Sequence, residues 1–210
     1  MAIRAIAFDL GGVLETVDPP QRFLAQWTER LGLSQADGPP DLLWPLTRVD
    51  PRNEAKTGGV TEEQYRLLCT AALGLGGALA DEFMAGFWDW YCGELDAELT
   101  DYAAGLRPRY RTGILSNSVA GARREEQARY SFEQLVDVVV YSAEVGLAKP
   151  DPRAYVHLCD ELRVEPSELV FLDNRAPNVE AACQLGIHGL LHASTEESIA
   201  AVEALLSSAG

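Results

Sequence analysis

Four separated groups of polar residues have the types and positions for chemistry on an anion: Asp9; Ser116, Asn117 and Ser118; Lys149; and Asp173, Asn174 and Arg175. A carboxylate such as Asp9, fixed at the end of a strand, is a competent nucleophile. Ser116 and Asn117, at the start of a helical segment, suit the holding of an anionic group. Lys149 supplies the positive charge without which a carboxylate and an anionic substrate would repel one another. Taken singly, each group has a plainer explanation, since Asp, Ser and Asn cap turns and helices, and Lys-Pro-Asp-Pro can simply open a helix. Four of them in this order, each after a strand-like run, are harder to assign to capping.

Those runs are the elements that must position the polar groups. Ile3 to Leu10, Tyr110 to Leu115, Val136 to Tyr141, Glu168 to Leu172 and Ile187 to His192 are short and nearly continuously apolar, as buried parallel strands are. The first ends in a glycine turn, Gly11-Gly12. Helices are predicted at 118–130, 151–162 and 177–185, the last stopped by Gly186. Strands alternating with helices imply right-handed crossovers and an open parallel sheet, whose ligands collect at the carboxyl ends of the strands. The stretch 15–94 lacks a convincing buried strand and shows helical periods at 21–31, 61–73 and 81–95. It is expected to be a helical insertion after the first strand, with the Pro-, Gly- and Asp-rich piece 34–59 irregular. Trp27, Trp44, Trp88 and Trp90 all fall inside it and are expected to pack it rather than to bind a ligand.

Composition narrows the partners. With 47% hydrophobic and 23% charged residues the chain is of ordinary globular type. Lys and Arg number 17 against 32 Asp and Glu, a net charge of −15 that repels phosphate backbones and anionic lipid, so neither nucleic acid nor a membrane surface is an expected partner. Cys69, Cys92, Cys159 and Cys183 lie far apart without a zinc-type spacing and are expected to be buried thiols in a reducing compartment. No signal-peptide pattern opens the chain and no run nears the ~20 apolar residues of a membrane span, so a cytoplasmic location is expected. Nothing in the sequence addresses oligomeric state.

FDLGGVL with Asp9, ILSNS with Ser116, LAKPDP with Lys149 and FLDNRAPNVEAACQLGI around Asp173 and Asn174 resemble, in order and spacing, the four motifs of the haloacid dehalogenase-like hydrolases. The likeness is dense at 110–191 and 3–14 and weak between. It is nearest to the subgroup with a small helical cap, which includes sugar-phosphate phosphatases and the N-terminal phosphatase domain of soluble epoxide hydrolase. The resemblance implies an α/β fold with a Rossmann-like parallel sheet core at 1–14 and 95–210 and a helical cap at 15–94. It further implies an aspartyl-phosphate formed on Asp9, with Ser116 and Lys149 holding the transferred group. Gly11, Gly12, Asn117 and Arg175 are the candidates for contacting a small anionic substrate. Asp9, Asp173 and Asn174 are the candidates for magnesium.

Two positions depart from the family's phosphatases. Gly11 stands where a second Asp protonates the leaving group, and Asn174 stands where a second acid reaches the metal, so a weakened magnesium site is expected. Positioned acid–base catalysis contributes ~10²–10⁴-fold in rate, so its loss would leave a slow phosphatase. Glu15 is a substitute acid by position, although a glutamate opening a cap linker is expected to be solvated. Gly11 is the turn residue at which a left-handed backbone would oppose restoring the Asp. Arg175 joins Lys149 as a cation for the bound anion if magnesium is weak. Two other readings stay open. One is metal-independent 2-haloacid hydrolysis, a branch that shares FD, SN and KPDPRAY with Tyr155. The other is a non-catalytic metabolite-binding protein that retains the anion pocket.

Overall fold

A computed structural model describes residues 2–32, 54–71 and 73–208. Most of the piece expected to be irregular, Trp44 included, lies outside them. Five parallel strands form one sheet in the order β5-β4-β1-β6-β7, with β1 Ala5–Phe8, β4 Arg111–Ser116, β5 Val138–Tyr141, β6 Leu169–Asp173 and β7 His188–Leu191. The central strand is buried on both faces, and its side chains divide with period two. Ile6 and Phe8 join Ile114, Val170 and Leu172 in one core. Ala5 and Ala7 join Leu115, Leu169 and Phe171 in the other.

Small residues on the second face let a helix approach closely. A Cβ on Gly113 would stand 3.2 Å from Leu162 and 3.4 Å from Leu158, both on the helix Pro152–Leu162. That helix starts as its sequence predicts: Asp151 caps it by accepting the Arg153 N–H at 2.9 Å, and Pro152 fills the first turn, where no donor is missed. The helix Ala176–Gln184 likewise follows β6.

Several boundaries differ from expectation. The helix predicted from Ser118 begins only at Ala122 and runs to Tyr130, because Ser118 is tied across the sheet: its N–H donates to Ser142 Oγ at 2.9 Å, and Gly121 turns the chain at φ +96°. Among the described residues four α-helices had no prediction: Ala97–Leu106, capped by Asp96, Thr195–Ser208, and the single turns Phe132–Leu135 and Ser142–Val145. Cys183 is exposed, contrary to expectation, while Cys69, Cys92 and Cys159 are buried.

Between β1 and Ala97 the described residues form the helices Pro20–Arg30, Glu62–Ala71 and Gly77–Cys92 and a 3-10 turn, Ala55–Thr57. The third does not continue to Leu95 as the periodicity suggests. Gly93 ends it at φ +57°, where a Cβ would meet the Thr16 carbonyl oxygen at 2.3 Å, so only glycine permits the approach. Glu94–Leu95 (β3) then pairs antiparallel with Glu15–Thr16 (β2), a short two-stranded connection that the sequence pattern did not reveal. Aromatic contacts pack these helices together: Trp27 meets Phe83 edge-on at 5.1 Å, Phe23 stacks on Trp90 at 5.7 Å, and Tyr65 meets Phe87 at 5.7 Å. Among the described residues no helix is long and apolar enough to cross a membrane.

Leu158 is fully buried where helix and sheet approach most closely. Leu158→Ala is expected to cost ~2–5 kcal/mol of unfolding free energy, read from denaturant titration, by lost burial plus the cavity left behind. A loss well under that range would show that the second core repacks freely.

Candidate active site

Three strand ends and one loop bring the predicted residues to one edge of the sheet. Asp9 follows β1, Ser116 ends β4, Asp173 ends β6, and Lys149 lies on the loop before Asp151. The Lys149 ammonium group stands 2.8 Å from Asp9 Oδ1 and 2.7 Å from Asp173 Oδ2, with its side chain wholly buried. Asp173 is held from every side: the Arg175 N–H donates to Oδ1 at 2.8 Å, and Asn178 Nδ2 reaches both oxygens at 3.0 Å. Asp9 Oδ1 also accepts the Leu10 N–H at 2.8 Å, whereas Oδ2 has no partner among the described residues. Burial pushes the Asp9 carboxyl up to about 6, the Lys149 charge opposing and the Asp173 charge adding to the rise.

Asn117 clamps the lysine's backbone. Its Nδ2 donates to the Lys149 carbonyl at 2.7 Å and its Oδ1 accepts the Lys149 N–H at 2.8 Å, so the side chain fixes the loop that carries the ammonium. Ser116 is buried, and its hydroxyl has no hydrogen-bond partner among the described residues. Tyr155 lies behind the site: it packs edge-on against Phe171 and donates its hydroxyl to the Asn178 carbonyl at 2.8 Å.

The loop after Asp9 explains its two glycines differently. Gly12, not Gly11, has the left-handed backbone, with φ +82°, and a Cβ there would lie 2.0 Å from Asn174 Nδ2. At Gly11 a Cβ would touch only Val17, at an ordinary 3.9 Å, so the expected backbone objection to a side chain there does not hold.

Asp9, Gly11, Gly12, Ser116, Asn117, Asn174 and Arg175 line one cavity of about 410 Å³. Its opposite wall comes from residues that sequence reasoning did not place there: Glu126 on Ala122–Tyr130, Trp90 and Tyr91 on Gly77–Cys92, and Lys56 on the 3-10 turn. Glu15 also lines it and is 1% exposed, contrary to the solvated position expected. Burial pushes Glu15 up to about 10, with the charges of Glu126 and Asp9 adding and Arg129 opposing. Glu126, also 1% exposed, is pushed up by burial to about 8, against a hydrogen bond from Tyr141. Lys56 is pushed down, by burial and by the neighbouring charge of Arg175. Asn178, which holds Asp173, was not among the sequence candidates, although its place inside the motif five residues beyond Asp173 could have marked it. Glu126, inside the polar run ARREEQARY, gave no signal, since such a helix reads as solvated. A larger cleft of about 760 Å³ lies beyond Trp90, and neither Asp9, Lys149 nor Asp173 lines it.

No cluster of three or more His, Cys, Asp or Glu suited to a metal occurs among the described residues. Of the three residues expected to hold magnesium, Asp9 keeps Oδ2 without a hydrogen bond among the described residues and Asn174 is exposed at the cavity, whereas both oxygens of Asp173 accept hydrogen bonds.

The family profile of haloacid dehalogenase-like hydrolases matches residues 3–186. The D-ribitol-5-phosphate phosphatase of Bacteroides thetaiotaomicron is 27% identical over 200 residues, covering 88% of this chain and 89% of that protein. Phosphatase MT3486 of Mycobacterium tuberculosis is 28% identical over 204 residues, covering 91% and 88%. A haloacid dehalogenase family enzyme of Bacteroides thetaiotaomicron, solved with magnesium and inorganic phosphate, superposes with a TM-score of 0.76 at 20% identity, over 91% of this chain and 95% of that one. At that identity the likeness speaks to the fold, and the fold agrees with the profile. The chain therefore belongs to the haloacid dehalogenase-like hydrolases.

Proposed function

We propose that this hydrolase cleaves a small phosphate monoester through Asp9, with the helical segment 15–94 serving as the cap over the site. The observation that carries this is the arrangement around Lys149. The ammonium binds one oxygen of Asp9 and one of Asp173, leaving Asp9 Oδ2 unpartnered on a cavity whose walls also carry Ser116, Lys56 and Arg175. In a chain of net charge −15, Lys56 and Arg175 have no ion-pair partner among the described residues, and their convergence on one cavity favours an anionic ligand. The relatives that carry phosphatase names over most of their length support the same class.

In this reading Asp9 Oδ2 attacks phosphorus while Lys149 keeps Oδ1 fixed and lowers the repulsion between carboxylate and substrate. The Ser116 hydroxyl donates to a phosphoryl oxygen, and Asp173 holds the ammonium in place. Gly12 admits the Asn174 amide against the loop, which a side chain at residue 12 would block. Magnesium would be held by Asp9 and Asn174 and would supply positive charge to the phosphoryl oxygens. One carboxylate and one amide make a weaker set than two carboxylates.

Asp9→Asn preserves shape and removes the nucleophile. Turnover of a phosphate-ester panel should fall by at least ~10³-fold with the circular dichroism spectrum intact. Undiminished activity in pure variant protein would overturn the covalent mechanism. Asn174→Asp should raise magnesium affinity on the order of 10-fold in calorimetric titration. Tight binding by the natural chain, unchanged in the variant, would count against the weakened site.

A further inference from the structure

The loss of an acid at Gly11 leaves the leaving group without a proton donor, and the fold places another carboxyl beside the vacancy. After Asp9 the chain curls back on itself: the Glu15 N–H donates to the Leu10 carbonyl at 3.0 Å, the Gly12 N–H donates to the Glu15 carbonyl at 2.6 Å, and Gly11 and Glu15 form a bridge. Residue 15 therefore stands next to residue 11 in space although four positions away in sequence. Pairing of β2 with β3 fixes it there. The Glu15 side chain lines the Asp9 cavity, and its Oε1 is buried without a hydrogen-bond partner among the described residues. A buried polar atom left unpaired is costly in a finished fold unless a ligand completes it.

We propose that Glu15 is the general acid of this enzyme, protonating the leaving oxygen of an alkyl phosphate in place of the acid missing at Gly11. This rests on the phosphomonoester reading above. Glu126 faces the same cavity with Oε2 likewise unpartnered. Two neighbouring carboxyls that are both buried do not both ionise, which keeps a proton on the pair at neutral pH. In the first half-reaction the bond from Asp9 to phosphorus forms as the bond from phosphorus to the ester oxygen breaks. The Glu15 proton passes to that oxygen, releasing an alcohol and leaving Glu15 as carboxylate. Water then attacks the aspartyl phosphate and gives its proton to Glu15. The bond from Asp9 to phosphorus breaks, and inorganic phosphate departs with both carboxyl groups restored.

The test exploits leaving groups of different need. An alkoxide must be protonated as it departs, whereas 4-nitrophenolate need not be. For Glu15→Gln, the ratio of kcat/KM for glycerol phosphate to that for 4-nitrophenyl phosphate should fall by ~10²-fold or more, within the range of general-acid contributions. The aryl substrate should also show a burst of nitrophenolate, since water attack on the intermediate loses its base. Gly11→Asp, placed in the Glu15→Gln chain, should recover the alkyl ester, because its Cβ has room beside Val17. This rescue separates a lost proton donor from a damaged fold. A ratio unchanged in Glu15→Gln, or recovery of neither ester in the double variant, overturns the assignment. Should Asp9→Asn abolish aryl turnover while the ratio ignores Glu15, only this inference falls. Should the natural chain turn over neither ester, the phosphomonoester reading falls and takes Glu15 with it.

Discussion

One ammonium group organises the site. Lys149 stands between two carboxylates, with its own side chain and that of Asp173 shut from water. Desolvating three charges is expensive, and the arrangement persists only because every partner is fixed. The Asn117 amide grips the lysine's backbone from both sides, and Arg175 and Asn178 complete Asp173. Removing one member would strand the others as buried, uncompensated charges. The same arrangement leaves one oxygen of Asp9 without a partner among the described residues, as the proposed nucleophilic attack requires.

The small residues around this cluster follow from it. Gly12 is bare because Asn174 occupies the place of its side chain, and Gly113 is bare because a helix presses on the sheet behind. Both are close approaches of packed elements, not signs of a loose backbone. Gly11 is a different case, since its surroundings would accept a side chain. Its lack of one is a chemical difference from the family's phosphatases, not a steric necessity.

The helical segment meets the sheet domain through charged and aromatic contacts of unequal weight. Arg124 pairs with Glu62 at 2.6 Å and Arg129 with Asp89 at 2.8 Å, both pairs substantially exposed and so worth little individually. Trp88 packs against the Gly121 turn closely enough that a Cβ there would stand 3.0 Å from its ring. Apolar contact of this kind contributes more than the surface ion pairs. It also brings Trp90 and Tyr91 over the cavity, on the helix that carries Trp88.

Sequence alone determined what local pattern encodes. The strand runs were legible because burial on both faces demands nearly continuous hydrophobicity. Asp9, Ser116 and Asp173 were legible because strand ends in a parallel sheet converge, so their order along the chain implies their meeting, and Lys149 was legible from the LAKPDP motif on the loop that joins them. Cysteine exposure, the late start of Ala122–Tyr130 and the β2–β3 pairing were not, since each depends on a partner distant in sequence. The wall of the cavity facing Asp9 was decided only by tertiary structure. Glu15 and Glu126 sit in segments whose composition reads as solvated, and their burial exists only once the helical segment folds over the sheet and covers them. A carboxyl's character depends on what excludes water from it, and residues remote along the chain supply that exclusion here.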